Sequence, residues 1–199
     1  MEQPGAETLA PEDQARANFY ALLARLLYAP PDEPLLHTLA SAGEIAAAGA
    51  QTQLADAWQE LKRAAATTDA QAAREEYESV FVGTGKAAVT LYTAAYTTRN
   101  PSHNPLVKIR DFLSAYGLGR QHSVHEPEDH IAALCDVMRH LVTNGNAAAQ
   151  REFFFQFIQP AAPSLCDAIT KCQRVGLYRP VARFAACFFE IEHAALDME

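Results

Sequence analysis

Apolar residues recur at helical spacing almost from end to end of this chain, and that period leaves room for little but a helical fold. In "QARANFYALLARLLYAP", Phe19, Leu22, Leu23, Leu26 and Leu27 fall at i, i+3, i+4, i+7 and i+8, the signature of one helix face. Pro11 followed by Glu12 and Asp13 suits a first helical turn, where the missing N–H is not needed and the dipole favours carboxylates. Pro30 and Pro31 close that helix, since a proline ring clashes with the preceding turn. A short helix over 35–40 follows, then one over 51–66 with Leu54, Trp58 and Leu61 on one face. Asp69 is placed to cap a helix running through Tyr77 to Phe81.

The period then breaks in "VGTGKAAVTLYTAAYTTRNPSHNP". Long connections inside compact domains are usually functional or disordered; this one keeps Val89, Leu91, Tyr92 and Tyr96 and is expected to pack. Helices resume over 105–116, ending at Gly117, and over 127–143, with Ile131, Leu134, Cys135, Met138, Leu141 and Val142 as the stripe. "AAAQREFFFQFI" comes next, then a break at Pro160 and Pro163, then helices over 164–175 and 179–195. No strand of any length is convincing. The expectation is an all-α fold, a single compact helical domain of two helical parts. Residues 1–12 form a tail, 13–82 the N-terminal part, 83–104 a hinge-like connection and 105–199 the C-terminal part.

A formal charge of −8 excludes nucleic acid as the natural partner, because a phosphate backbone wants clustered Lys and Arg. It favours a basic ligand instead. "MEQPGAETLAPEDQ" lacks the basic start and apolar run of an export signal. No stretch reaches the roughly 18 apolar residues of a membrane span. A cytoplasmic protein without membrane insertion is expected. Cys135, Cys166, Cys172 and Cys187 form no CxxC and are read as reduced core thiols rather than metal ligands.

Chemistry concentrates in "HSVHEPEDH", 122–130. His122, His125, Glu126, Asp129 and His130 are all able to ligate a borderline metal ion. Yet Glu126 precedes a proline and is pushed out of the helical region, Pro127 fits a first helical position, and Glu128 and Asp129 would then sit in the first turn. The carboxylates are therefore read as the start of a helix. Other patterns are weaker. Glu190 and His193 make a single ExxH, where a di-iron bundle needs two and two further Glu. Around the Gly85-Lys86 pair of "VGTGKAAV", Val80 and Ala87 stand where a P-loop needs Gly and Ser or Thr. Ser123 lacks a nucleophile elbow. No residue set demands an enzyme.

Two stretches carry a family likeness. "EYESVFVG" matches Tyr-x-x-x-Phe-x-Gly with Tyr77, Phe81 and Gly83. "HSVHEPEDHIAALCDVMRHL" matches aromatic-Ser-x-x-Glu-Pro-x-Asp-His with Ser123, Glu126, Pro127, Asp129 and His130; His122 stands where an aromatic residue is usual. With "LSAYGLGR" and "LYRPVARFAACFFEIE", the chain resembles the TorD/DmsD family of redox-enzyme maturation chaperones over about 14–192. That resemblance implies a cytoplasmic chaperone that binds the twin-arginine leader or the apo form of a molybdopterin oxidoreductase, and holds it until cofactor insertion, before Tat export. It implies no cofactor of its own. Weak guanine-nucleotide binding, and the choice between monomer and domain-swapped dimer, are left open. "VGTGKAAVTLYTAAY" and "CDVMRHL" are similar to members that accompany formate dehydrogenases.

With that resemblance, peptide binding is expected at Ser123, Glu126, Pro127, Asp129 and His130, and the need for an apolar groove beside carboxylates points to Tyr77, Phe81, Tyr92 and Tyr96 as its wall. Guanidiniums prefer planar, bidentate carboxylate partners, which Glu126, Glu128 and Asp129 would supply, and an apolar leader segment suits a helix-in-groove mode. The same aromatics suit the core equally well, and Asp129 and His130 suit hydrogen bonds to the backbone of the connection. Two other classes stand beside this reading: a helical metal-binding or oxidoreductase protein using His122, His125 and His130, and a generic helical adaptor.

Overall fold

The computed structural model describes residues 9–45, 51–83, 85–97, 105–119 and 127–198. Helix α1 (Pro11–Tyr28) starts with Pro11 inside its first turn and stops short of Pro30. Its buried face holds Ala17, Tyr20, Leu23, Leu26 and Leu27, while Phe19 and Leu22 are half-buried at its flank. Helix α2 (Glu33–Ala40) is capped by Asp32, whose carboxylate accepts from Leu35 N at 3.0 Å. Helix α3 (Gln51–Thr67) buries Leu54, Trp58 and Leu61 as expected. Asp69 caps α4 (Ala70–Tyr77) by accepting from Ala72 N at 2.8 Å. The helix continues past Tyr77 as a wider π turn over Glu78–Val82 and ends at Gly83.

Beyond the connection come the single-turn α5 (Ala94–Thr97), α6 (Pro105–Ala115), α7 (Ile131–Thr143) and α8 (Ala147–Phe153). Helix α8 runs into a second π turn, Phe154–Ile158, and α9 (Ala162–Lys171) and α10 (Tyr178–Asp197) complete the chain. Among the described residues there is no strand, only one isolated antiparallel bridge between Tyr92 and His130. The expected all-α class stands. One expectation is corrected: α7 begins at Ile131, four residues after Pro127, because Pro127–Asp129 forms a turn and His130 is the N-cap.

The two helical parts share one core. Helix α1 lies along α7, and α10 packs on both α3 and α9. Phe19, Trp58, Phe184 and Phe188 meet where α1, α3 and α10 converge, with Phe19 edge-on to Phe184 at 5.2 Å and to Phe188 at 5.5 Å. Of the cysteines, Cys135 and Cys166 are buried as expected, but Cys172 and Cys187 are only half-buried, at the edges of their packed faces. Burial pushes the Cys166 thiol up to about 12 and that of Cys135 higher still, so neither supplies a thiolate.

Inside this core sits a carboxylate that sequence patterning did not single out. Glu192 of α10 is 1% exposed. It accepts from Arg16 Nε at 2.7 Å, from Arg16 Nη2 at 2.9 Å and from the Tyr20 hydroxyl at 2.8 Å. Arg16 also donates to Gln150 on α8 at 2.9 Å, and Gln150 donates onward to the Leu141 carbonyl of α7 at 3.2 Å. Burial by itself would lower the Arg16 pKa, but Glu192 and Asp13 outweigh it and hold the guanidinium above its ordinary range. Burial first, and Glu192 second, push the Tyr20 hydroxyl well up. Four helices are thus joined through one ion pair.

A second carboxylate makes a cap across the chain. Glu76 accepts from the backbone N–H groups of Gly176, Leu177 and Tyr178 at 2.8, 2.9 and 2.8 Å. These are orphan donors at the start of α10, where the dipole favours negative charge.

Replacing Glu192 by Ala leaves the Arg16 guanidinium half-buried without its main partner. The expected loss is about 3–5 kcal/mol, a drop of about 10 °C in the midpoint of thermal unfolding followed by circular dichroism. Arg16→Met combined with Glu192→Leu should lose less than Glu192→Ala alone, because no uncompensated charge remains.

Candidate functional site

The motif residues that the structure describes lie where the connection meets α7. Pro127 opens a turn closed by His130 N donating to the Pro127 carbonyl at 3.1 Å. Ile131 N then donates to the Leu91 carbonyl at 2.9 Å, and Thr93 N donates to the Asp129 carbonyl at 2.9 Å. These two bonds make the Tyr92–His130 bridge, a single rung of antiparallel pairing. The Thr93 hydroxyl adds a bond to the same Asp129 carbonyl at 3.0 Å. Residues 89–97 therefore form a strap laid against the entry of α7. Its other end is tied by Val89 N donating to the Val80 carbonyl at 3.0 Å.

The two buried polar side chains of the motif serve this junction. His130 Nδ1 accepts from Ala132 N at 3.2 Å and caps α7, which places the proton of a neutral ring on Nε2. The His130 ring also meets Tyr92 edge-on at 5.2 Å. Asp129 is 4% exposed, and its carboxylate accepts from Ala94 N, the first residue of α5, at 3.4 Å. Burial raises its pKa above the ordinary carboxylate range, and the bond from Ala94 opposes that only in part. Asp129 thus lies outside any helical first turn and points inward. Of the readings open for Asp129 and His130, a hydrogen bond to the backbone of the connection is seen for Asp129, whereas the His130 side chain bonds the backbone of α7. Glu128 faces the other way, into an ion pair with Arg110 of α6.

The aromatic residues divide between two places. Tyr92 stands on the strap, 36% exposed. Tyr96 is half-buried beneath it and donates to the Thr90 carbonyl at 2.8 Å. Tyr77 and Phe81 instead join Tyr178 in a cluster at the end of α1, with Phe81 edge-on to Tyr178 at 4.9 Å. The Tyr77 hydroxyl donates to the Tyr28 carbonyl at 2.8 Å, and Tyr178 donates to the Leu26 carbonyl at 3.0 Å. Both carbonyls lie in the last turn of α1, where no helical donor remains. Tyr77 is therefore a buried helix cap, and the core alternative describes it. Gly83 closes the same motif with φ 65°, and a Cβ there would meet the Lys86 carbonyl oxygen at 2.5 Å.

Ser123 and Glu126, with His122 and His125, lie outside the described residues. Among the described residues no group of three His, Cys, Asp or Glu is placed to hold a metal ion. Glu190 and His193 line an apolar cavity of about 370 Å³ together with Phe154, Pro163 and Phe189. Sequence reasoning missed Thr93, Ala94 and Arg110, which complete the junction. None carries a local signal, because each acts on a residue 18 or more positions away.

The long connection is strapped onto the start of a later helix through Thr93, Asp129 and Ile131. A solved structure of the same fold is that of a protein assigned to redox enzyme maturation in Archaeoglobus fulgidus, with TM-score 0.52 and 18% identity over 93% of this chain and 98% of that one. Residues 47–167 match the nitrate reductase delta subunit family. The chain belongs to that family, which takes in the TorD chaperones. The chaperone protein TorD of Vibrio cholerae is 26% identical over 134 residues, covering 61% of each chain. TorD of Ferrimonas balearica is 24% identical over 198 residues, covering 94% of this chain and 92% of that one. The match thus spans about three-fifths of the Vibrio relative and nearly all of the Ferrimonas one. These relatives are named as chaperones, not enzymes, in keeping with a sequence that demanded no catalysis.

Two outcomes follow from the junction. The raised Asp129 pKa means that the folded state holds this proton more tightly than the unfolded chain. Its contribution is most favourable in acid and declines as pH rises through the raised value. Asp129→Asn should therefore gain stability relative to wild type between about pH 3 and about pH 7, as read from urea midpoints; a constant difference across that range would contradict the assignment. Gly83→Ala should cost about 2 kcal/mol through its positive φ and the Lys86 clash, measured in the same way.

Proposed function

We infer that this protein is a maturation chaperone for an exported molybdopterin oxidoreductase, and that it recognises the twin-arginine leader of that enzyme's precursor. It acts in the cytoplasm, before Tat export, and holds the client until the cofactor is inserted. The observation that carries this reading is the junction itself. Asp129 and His130, two of the residues in the family pattern, are buried there: Asp129 accepts from Ala94 N of the aromatic-bearing strap, and His130 caps α7 and packs edge-on against Tyr92. Family membership and the chaperone names of the relatives support the same reading. An overall charge of −8 suits a ligand carrying adjacent arginines. Among the described residues no helix is long and apolar enough to cross a membrane.

In this reading the motif shapes the binding surface more than it touches the ligand. Asp129 and His130 set the position of Tyr92, and Tyr92 offers an exposed ring to the leader's apolar segment. A formate dehydrogenase is the client class that the sequence likeness suggests.

The test is titration calorimetry with the full leader peptide of a co-expressed molybdoenzyme. Asp129→Ala combined with His130→Ala should weaken binding at least about tenfold while the far-ultraviolet circular dichroism keeps its helical signal. Unchanged affinity in that variant would sink the role given to the junction. Removing the leader from the precursor should abolish most of the affinity; a generic adaptor would keep it.

A further inference from the structure

The Glu128–Arg110 pair has the form of a recognition event made within one chain. Arg110 Nε donates to Glu128 Oε1 at 3.1 Å and Arg110 Nη2 donates to Glu128 Oε2 at 3.0 Å. Both bonds together are the bidentate fork that guanidinium and carboxylate prefer. The two sides are unequal. The Glu128 side chain is 13% exposed and the Arg110 side chain 58%. Glu128 sits in the Pro127–His130 turn, whose backbone is pinned by the His130–Pro127 and Thr93–Asp129 bonds. The carboxylate is therefore fixed and the guanidinium is the exchangeable member.

Exposed apolar side chains lie on the same helix as Arg110 and beside the residue that closes the Glu128 turn. Val107 lies one turn before Arg110 on α6 and is 52% exposed, and Tyr92 stands exposed against His130. A guanidinium next to apolar side chains is the ligand this arrangement suits.

We propose that Glu128 is the subsite for one arginine of the bound leader, and that Arg110 occupies it in the resting protein as an internal guanidinium that the leader displaces. This rests on the leader-binding reading above. An ion pair whose guanidinium stays in solvent is weaker than a buried one, so a ligand that adds apolar contacts can replace Arg110 at a small loss of affinity. The latch would also reject weak cationic competitors, which bring a charge but no apolar contacts.

The experiment measures affinity for a synthetic peptide with two adjacent arginines followed by a leucine- and alanine-rich run. Proteins are wild type, Arg110→Gln, Glu128→Gln and the double variant, each checked for helical content. Arg110→Gln should bind about two- to fivefold more tightly than wild type. Glu128→Gln should bind more weakly than wild type, and Arg110→Gln should bring no gain in the Glu128→Gln background. Binding by Arg110→Gln alone, with none by wild type, would also support the latch. A gain that persists without the Glu128 carboxylate is a general charge effect and overturns it. So does wild-type binding that Arg110→Gln leaves unchanged or weakens. Absence of binding in all four proteins overturns the leader-binding reading together with the latch.

Discussion

The fold turns on the burial of one carboxylate. Glu192 lies in the apolar face of α10, where an unpaired charge would be prohibitive. It is tolerated because Arg16 and Tyr20, both on α1, satisfy it from one side. The pair then acts as a register pin. Sliding α1 along α10 by one residue would break three bonds to a buried anion, whereas apolar contacts alone would let the helices adjust. Arg16 extends the pin through Gln150 to the last turn of α7. Because α7 also receives the strap at its other end, the position of the motif is coupled to that of α1 through one rigid helix.

A helical protein with a long connection has a closure problem. The described stretch of the connection, 85–97, must lose conformational freedom, yet it forms only the single turn α5 and one bridge. Here the solution is local and cheap in residues. Val89, Leu91 and Thr93 are buried, two backbone bonds form a single rung, and Gly83 supplies the left-handed turn that starts the path. Thr93 and Asp129 then bring polar groups into the junction, each with a partner. Segments ordered by few interactions open more readily than core helices. That is the regime in which a ligand can shift the position of a surface segment at low cost.

Helix type and order were legible because amphipathic period, proline placement and Asp caps all act within one or two turns. Pro11, Asp32 and Asp69 do what their local chemistry dictates. The start of α7 misled for an instructive reason. "EPED" has the composition of a helix N-terminus, but the strap takes the carbonyl of Asp129 and the N–H of Ile131 into a bridge, and a tertiary contact overrides the local preference. The same distance in sequence hid Glu76. Its three backbone partners lie 100 or more residues away, and no local pattern announces a cap delivered from another helix. Tyr77 and Phe81 were found as motif residues, but whether an aromatic residue faces a groove or a core depends on what packs over it, here Tyr178.

The motif's buried and exposed members divide the work by environment. Asp129 carries a raised pKa from burial, so it is a carboxylate held against its solvation preference, and it offers nothing to a ligand that cannot reach it. Its neighbour Glu128 is turned toward α6, where it holds the guanidinium of Arg110. Adjacent acidic residues in one turn therefore have different partners, one a backbone N–H of the strap and the other a guanidinium of α6. The buried bonds of Asp129 hold the turn that carries Glu128. A carboxylate on a floppy loop gains a bidentate partner only after paying for its own ordering, whereas one set on a pinned turn meets the incoming fork preformed.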